Sequence, residues 1–253
     1  MEDLRRGFHH DLDVACADFV LLAASVTELI PRTTAVLLDA DLEGADYIIR
    51  GDDEVDAKAI DLEEACLRIL ALQAPVAGDL RRLVALLRMI AEVERSADLL
   101  CNICKATRRI YGHELDPRLR GIISRMSEQA QHLYTAAIES FVDNDAAKAG
   151  AIDDMDGFLD DLQRQFVAAI FESHAAGTID LQVAVQLALV ARFYERIGDH
   201  AVTIGERVRY VVTGWLPEHE GAERFRVHAD QTGEVAVIGG AGRSETGAVD
   251  GAT

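Results

Sequence analysis

A duplicated acidic motif constrains this chain more than any other feature of its sequence. Glu195 and Asp199 stand four residues apart inside an apolar run, and Glu94 and Asp98 repeat the pair 101 positions earlier. On a helix this spacing places both carboxylates on one face, with their Cβ atoms about 5–6 Å apart. The fold must therefore accommodate four acids, in two matched pairs, on helix faces that are otherwise apolar.

The surrounding sequence has the periodicity of long helices. In the first stretch apolar residues recur at spacings of three and four, which is the seam of a helical bundle: Leu4, Phe8, Leu12, Ala15, Phe19, Leu22, Val26 and Leu29. Pro31 predicts a kink or interruption of this helix, which then resumes to about Asp41. We expect the chain to reverse near Glu43 and Gly44. The low proline and aromatic content suits an all-helical protein.

Five more helices follow, and the two halves of the chain match. The second helix ends near Leu72, the third runs from about 75 to 111, and the others span about 118–144, 146–175 and 179–213. Asp79 precedes Glu94 by fifteen residues and Asp180 precedes Glu195 by the same interval, which indicates an internal repeat of about 100 residues. We predict an all-α fold of two tandem three-helix bundles, residues 1–113 and 114–216. The glycine-rich segment 217–253 is predicted to be a disordered tail.

Composition narrows the functional classes. The net charge of −19 excludes nucleic acid as a direct partner and is compatible with metal cations or basic protein surfaces. The N-terminus does not have the pattern of a signal peptide, and we expect no apolar run long enough to span a bilayer, so the protein is predicted to be cytoplasmic. Four cysteines, including Cys101 and Cys104, are expected to be core thiols rather than zinc ligands or redox groups.

Three explanations of the paired acids remain open. They could form salt bridges to Arg81, Arg95 or Arg196 in a metal-free helical adaptor, or they could hold a metal ion through oxygen ligands from several helices. Repetition of the pair favours the metal. A ferritin-like di-metal enzyme is not favoured, because such bundles use Glu-x-x-His and no glutamate here has a histidine three residues on. No nucleophile motif or glycine-rich phosphate loop is present either, so we do not predict an enzyme.

An ordered set of segments resembles the PhoU family. The segments are 50–56 (RGDDEVD), 64–70 (EACLRIL), 73–82 (QAPVAGDLRR) and the two Glu-Arg-x-x-Asp motifs, so the resemblance covers about residues 1–216. It implies two three-helix bundles and bound iron, zinc, magnesium or manganese. The metal ligands that it implies are Asp52, Asp56, Asp79, Glu94 and Asp98 in the first repeat and Asp153, Asp156, Asp180, Glu195 and Asp199 in the second.

The chain departs from the family pattern at two places. Ser96 and Ala97 stand where an apolar residue and glycine are usual, and Ile152 occupies the position four before Asp156, which leaves one corner of the second site incomplete. Gly198 lies between the two acids of the second motif. Because glycine costs about 1 kcal/mol relative to alanine inside a helix, its presence predicts the close approach of another helix.

The resemblance also implies a regulatory role. Members of this family repress phosphate-starvation signalling and phosphate uptake when phosphate is plentiful. They link the ATPase of a high-affinity phosphate ABC transporter to a phosphate-sensing histidine kinase. By the same resemblance we expect a homodimer that meets the inner face of the membrane only through its partners.

Overall fold

Six long helices account for nearly all of the chain that the computed structural model describes, which is residues 2–215, with side chains from Gly7 onward. The helices are α1 (Glu2–Leu38), α2 (Leu42–Gln73), α3 (Ala77–Arg109), α4 (Pro117–Asp143), α5 (Ala146–Ala175) and α6 (Leu181–Thr213). Residues 2–215 contain no strand, so the all-α prediction is confirmed. The tail prediction for 217–253 concerns residues outside the described part of the chain.

The first helix does not break at Pro31, which corrects one expectation. α1 is continuous through this residue. The proline removes the hydrogen bond that residue 31 would donate to the carbonyl oxygen of Thr27. Val26 and Ile30, which adjoin these two residues, are fully buried, and tertiary packing of this kind can outweigh the cost of about 3 kcal/mol for an internal proline. The helix therefore continues through Pro31 because residues before and after it, such as Ile30 and Thr33, are buried in the core.

The reversal after α1 also comes earlier than predicted. Ala40 adopts a left-handed conformation with φ of 51°. Asp41 then caps α2, because its Oδ1 accepts a hydrogen bond of 2.9 Å from the backbone N–H of Gly44. Gly44 is thus in the first turn of α2 rather than in the loop.

The two three-helix bundles share one core. Helices α1, α2 and α3 pack together, as do α4, α5 and α6, and the bundles join where α1 packs on α4 and α3 on α6. Phe19 of α1 meets Phe141 of α4 edge to face, with ring centroids 5.0 Å apart. Four helices therefore form the centre of the molecule, while α2 and α5 lie outside them. The described residues, 2–215, belong to a single compact unit. The boundary between 113 and 114 stays a prediction.

Two buried hydroxyl networks join the bundles at this shared core. In one, the hydroxyl of Thr34 lies 2.7 Å from that of Ser127 and 2.6 Å from that of Tyr194. In the other, the hydroxyl of Ser96 bonds to Nδ1 of His200 at 2.8 Å. Such polar contacts are specific to one alignment of the helices, because a shifted helix would leave them unsatisfied.

Helix α1 is also long and apolar enough to cross a membrane by length and composition alone. The sequence-based expectation that no such run exists is therefore wrong for residues 7–38. The apolarity has a structural reason in this fold, since Phe19, Ala23 and Val26 are fully buried against the neighbouring helices.

The cysteines are free thiols, as expected. Cys66, Cys101 and Cys104 are buried and Cys16 is partly buried. Burial raises the pKa of the Cys66 thiol to about 12 and that of Cys104 to about 11. Buried thiols of this kind pack as small apolar side chains.

Candidate metal centres

The first carboxylate cluster lies at the contact between α2 and α3. Asp52 and Asp56, one turn apart on α2, face Glu94 and Asp98, one turn apart on α3. Burial raises the pKa of Glu94, and the negative charges of Asp98 and Asp56 raise it further. Burial likewise raises the pKa of Asp52, while the thiol of Cys101, within hydrogen-bonding reach, opposes the shift. The four carboxylates are therefore close enough for their charges to interact across the contact between α2 and α3.

The second carboxylate cluster lies at the contact between α5 and α6. Asp156 and Asp160 of α5 face Glu195 and Asp199 of α6. Burial, followed by the charges of Asp160 and Asp199, raises the pKa of Asp156 to about 6. Burial is also the first cause of the raised pKa values of Glu195 and Asp199. As in the first cluster, nearby positive charge is insufficient to balance the negative charge of these carboxylates.

Three buried oxygens in the clusters fit a hard cation. Oδ1 of Asp52, Oδ1 of Asp156 and Oε2 of Glu195 are buried and have no hydrogen-bond partner among the described residues. A buried carboxylate oxygen without a donor is costly, and carboxylate oxygens are the preferred ligands of Mg²⁺ and similar ions. The donor set in each cluster therefore suits a divalent or trivalent metal.

The carboxylates are not already arranged around a common point. Within residues 7–215, no group of three His, Cys, Asp or Glu side chains has the geometry of a metal site. Asp98, Asp160 and Asp199 are exposed, so their side chains are free to change rotamer. A metal would have to draw these exposed acids inward toward the buried oxygens.

Salt bridges account for only part of the negative charge. Glu195 pairs with Arg192 one turn earlier, an arginine that the sequence analysis did not single out. Arg95 pairs with Glu92 at 3.1 Å instead of with Glu94. Arg81 lies beside Gly214, near the ends of α3 and α6. Of the ion pairs between described residues, only that of Arg192 reaches a predicted ligand in either cluster.

The structure does not bring Asp79 and Asp180 into the clusters. Each lies fifteen residues before the glutamate of its helix, which is about 22 Å along the axis. Asp180 instead caps α6, accepting a hydrogen bond of 2.8 Å from the N–H of Val183. Asp79 lies in the first turn of α3, where an acid is favoured by the helix dipole. The equal spacing of fifteen residues reflects the duplication, but it does not place Asp79 or Asp180 in a carboxylate cluster.

Asp160 is the cluster residue that the sequence analysis missed. It stands four residues after Asp156, as Asp56 stands four after Asp52, so α5 corresponds to α2 at an offset of 104 rather than 100. Asp153 is exposed and contributes only a smaller repulsive effect on the pKa of Asp156. A search for i,i+4 acids on both sides of Asp156 would have found the pair. The acid that is missing four residues before Asp156, at Ile152, is thus replaced by Asp160, four residues after it.

Gly198 allows α5 to approach the second cluster closely. A Cβ atom at this position would lie 2.5 Å from Oδ1 of Asp156 and 2.7 Å from Cδ2 of Leu159. The expectation of a close helix approach is thus confirmed. The first repeat has Ala97, buried at 2% exposure, in the matching place.

His200 follows the second cluster in sequence but belongs to the core. Burial, followed by the positive charges of Arg196 and Arg95, lowers its pKa to about 4. Its Nδ1 bonds to Ser96, and its Nε2 lies 3.7 Å from Oε2 of Glu92. Both ring nitrogens therefore face α3 instead of the acids on α5.

The fold and the clusters together define a class: a duplicated three-helix bundle with one carboxylate cluster in each repeat. The PhoU domain matches the chain twice, at residues 19–107 and 123–208. The chain belongs to the PhoU family.

Named relatives cover most of the chain. It is 35% identical over 190 residues to the phosphate-specific transport system accessory protein PhoU homolog 1 of Mycobacterium tuberculosis, which covers 75% of this chain and 85% of that protein. Homolog 2 of the same organism is 32% identical over 215 residues, covering 85% and 100%. The crystal structure of PhoU from Pseudomonas aeruginosa superimposes with a TM-score of 0.77 at 24% identity, covering 82% of this chain and all of that one. This structural likeness supports the fold.

Proposed function

We propose that this protein is a regulator of phosphate uptake that represses phosphate-starvation signalling when phosphate is plentiful. It acts as an adaptor between the ATPase of a phosphate ABC transporter and a phosphate-sensing histidine kinase, and it is not an enzyme. The observation that carries the proposal is the family membership, together with relatives named as phosphate transport accessory proteins. The proposal includes a cytoplasmic homodimer that reaches the membrane through its partners.

The metal part of the proposal rests on the unpaired oxygens of the two clusters. A divalent or trivalent ion, such as iron, zinc, magnesium or manganese, would neutralise acids that otherwise repel across α2–α3 and α5–α6. Asp52, Asp56, Glu94 and Asp98 would hold one ion, and Asp156, Asp160, Glu195 and Asp199 the other. The ion would fix the outer helices, α2 and α5, on the central four.

A metal-free adaptor is the second candidate. Two observations favour it: the ion pair between Arg192 and Glu195, and the lack of a ready ligand set among residues 7–215. In that case the repulsion among the acids, which raises their pKa values, would be relieved by protonation or by a partner's basic residues. Both candidates share the adaptor function and differ only in what neutralises the acids.

A pull-down tests the adaptor function. The full chain should retain the transporter ATPase and the kinase when phosphate is high, and less of the kinase when phosphate is low. Deletion of the gene should give constitutive starvation signalling, which complementation by the full chain reverses. Normal repression in the deletion strain would overturn the proposal.

A further inference from the structure

One face of α6 is apolar, exposed and free of charge. Between Asp180 and Arg192 the sequence contains no charged residue. Leu181 is 66% exposed, Val185 49% and Leu189 41%. These side chains, with the exposed Ala188 between them, form the α6 stripe. Large apolar side chains that cluster on one exposed face mark an interaction site.

A phenylalanine on the neighbouring helix extends the α6 stripe. Phe171 of α5 is 70% exposed. It stands eleven residues, or three turns, after Asp160, so both lie on the same side of α5. The two helices run antiparallel, because Asp156 meets Gly198 while His174 meets the carbonyl of Ile179. Phe171 is therefore at the same end of the helix pair as Leu181.

The other edge of the α6 stripe is polar. Arg109 of α3 donates a hydrogen bond of 3.3 Å to the side chain of Gln186, and Gln182 donates one of 3.3 Å to the carbonyl oxygen of Arg109. An apolar centre with a polar rim is the usual composition of a protein interface.

The α6 stripe runs directly into the second carboxylate cluster. Leu181, Ala188 and Glu195 follow one another at intervals of seven residues, and Asp199 lies eighteen residues, or five turns, after Leu181. All four thus lie along one line of the helix surface. The surface from Leu181 to Asp199 is about 27 Å long, apolar at one end and acidic at the other.

We propose that this surface docks a basic amphipathic helix of a partner protein. Apolar side chains of a helix of about 18 residues would cover Leu181, Val185 and Leu189, while Lys or Arg at one end would meet Asp199 and Asp160, the exposed acids of the second carboxylate cluster. The proposal rests on the adaptor function, and it requires that one partner has an exposed basic amphipathic helix.

Charge decides among the possible occupants. A second copy of the chain would bring the same acids to the interface and carries a net charge of −19 itself. An anionic membrane would repel the second carboxylate cluster for the same reason. A basic helix is attracted by this cluster and covers the apolar stripe as well.

A model peptide provides the test. The probe is a fluorescein-labelled helical peptide of 18 residues, with leucines along one face and lysines at one end. Binding to the full chain is followed by fluorescence anisotropy in EDTA, so that no metal competes for the acids. We expect Val185→Glu together with Leu181→Glu to weaken binding at least tenfold. Asp199→Asn should weaken it severalfold.

Exposed leucines elsewhere supply the matched control. Leu21 on α1 is 69% exposed and Leu72 on α2 is 73% exposed, and Leu21→Glu with Leu72→Glu adds the same two negative charges as the α6 variant. The affinity of this control for the peptide should equal that of the wild type, and circular dichroism should show both variants folded. Equal weakening by the control and by the α6 variant would overturn the proposal. Two further results would overturn it. One is a wild-type dimer, measured by sedimentation, that the α6 variant converts to monomer. The other is binding of the wild type to anionic vesicles that the α6 variant abolishes.

The partner pull-down separates this inference from the proposed function. If the wild type retains the ATPase and kinase and the Leu181→Glu, Val185→Glu variant retains both equally, the docking surface is wrong and the adaptor function stands. If the wild type retains neither protein but binds the peptide through the α6 stripe, the adaptor function is wrong and the surface stands. Selective loss of one partner by the variant supports both.

Discussion

Asp156 is a residue at which burial and neighbouring negative charges both disfavour the ionised carboxylate. Its Oδ1 is buried without a donor, four further acids lie nearby, and its pKa is raised to about 6. The folded state therefore holds a proton more tightly than the unfolded chain does, so this group favours folding at low pH. That contribution is fully present below the unfolded pKa of about 3.9 and is lost as the pH rises through about 6.

Removing this charge should stabilise the protein at neutral pH in the absence of metal. We expect Asp156→Asn to raise the melting temperature at pH 7.5 in EDTA, with a gain that shrinks as the pH falls toward 5. Thermal denaturation followed by circular dichroism measures both. Asp153→Asn, on the exposed side of the same helix, should change little. A gain of the same size at every pH would contradict the assignment.

The acids of the second carboxylate cluster should control metal binding. Glu195→Gln with Asp199→Asn removes two of the four proposed ligands, so metal content after purification without chelator should fall. The rise in melting temperature on adding Mn²⁺ should fall as well, because a ligand stabilises only the state that binds it.

Asp79→Asn is the matched control for the metal experiment. Asp79 is an acid of the first repeat, in the first turn of α3, and belongs to neither carboxylate cluster, so its loss should leave metal content unchanged. Unaltered metal content and unaltered Mn²⁺ stabilisation in the Glu195→Gln, Asp199→Asn protein would show that the cluster holds no metal.

At the scale of the helices, the close contact of α5 with α6 depends on one missing methyl group. Gly198→Ala would place a Cβ within 3 Å of both Asp156 and Leu159. Overpacking of this kind costs about 1–3 kcal/mol, which exceeds the gain in helix propensity of about 1 kcal/mol. We expect net destabilisation, measured by urea denaturation.

Another helical glycine tests whether the effect is local. Gly121 lies inside α4, and no atom is within 4 Å of the position that its Cβ would take. Gly121→Ala should therefore stabilise the protein by about 0.5–1 kcal/mol. If Gly198→Ala were equally stabilising, the close helix contact would be wrong.

At the scale of the whole molecule, the two bundles should unfold together. Phe19 packs on Phe141 across the repeats, and Thr34, Ser127 and Tyr194 form a buried network there. Neither bundle can lose its packing without exposing the core of the other, so a single cooperative transition is expected. Urea unfolding curves from far-ultraviolet circular dichroism and tyrosine fluorescence should coincide. Two separated transitions would show that the repeats are independent domains.

Local sequence determined most of the helices and the duplication. The apolar spacing of three and four, the acids at Glu94 and Glu195 and the glycine at 198 are all short-range signals that any helix with this sequence would carry. They were sufficient to predict the all-α class, the repeated motif and the close helix contact. They also placed the ends of most helices within a few residues.

Tertiary structure decided which of these features meet. Pro31 stays helical because its neighbours are buried, and α1 and α3 join the two bundles through surfaces that periodicity cannot pair. Asp160 enters the second carboxylate cluster, while Asp79 and Asp180 remain about 22 Å from their glutamates. The physical reason is that a sequence fixes the angle of a side chain around its own helix, whereas the register between two helices is set by how their surfaces pack.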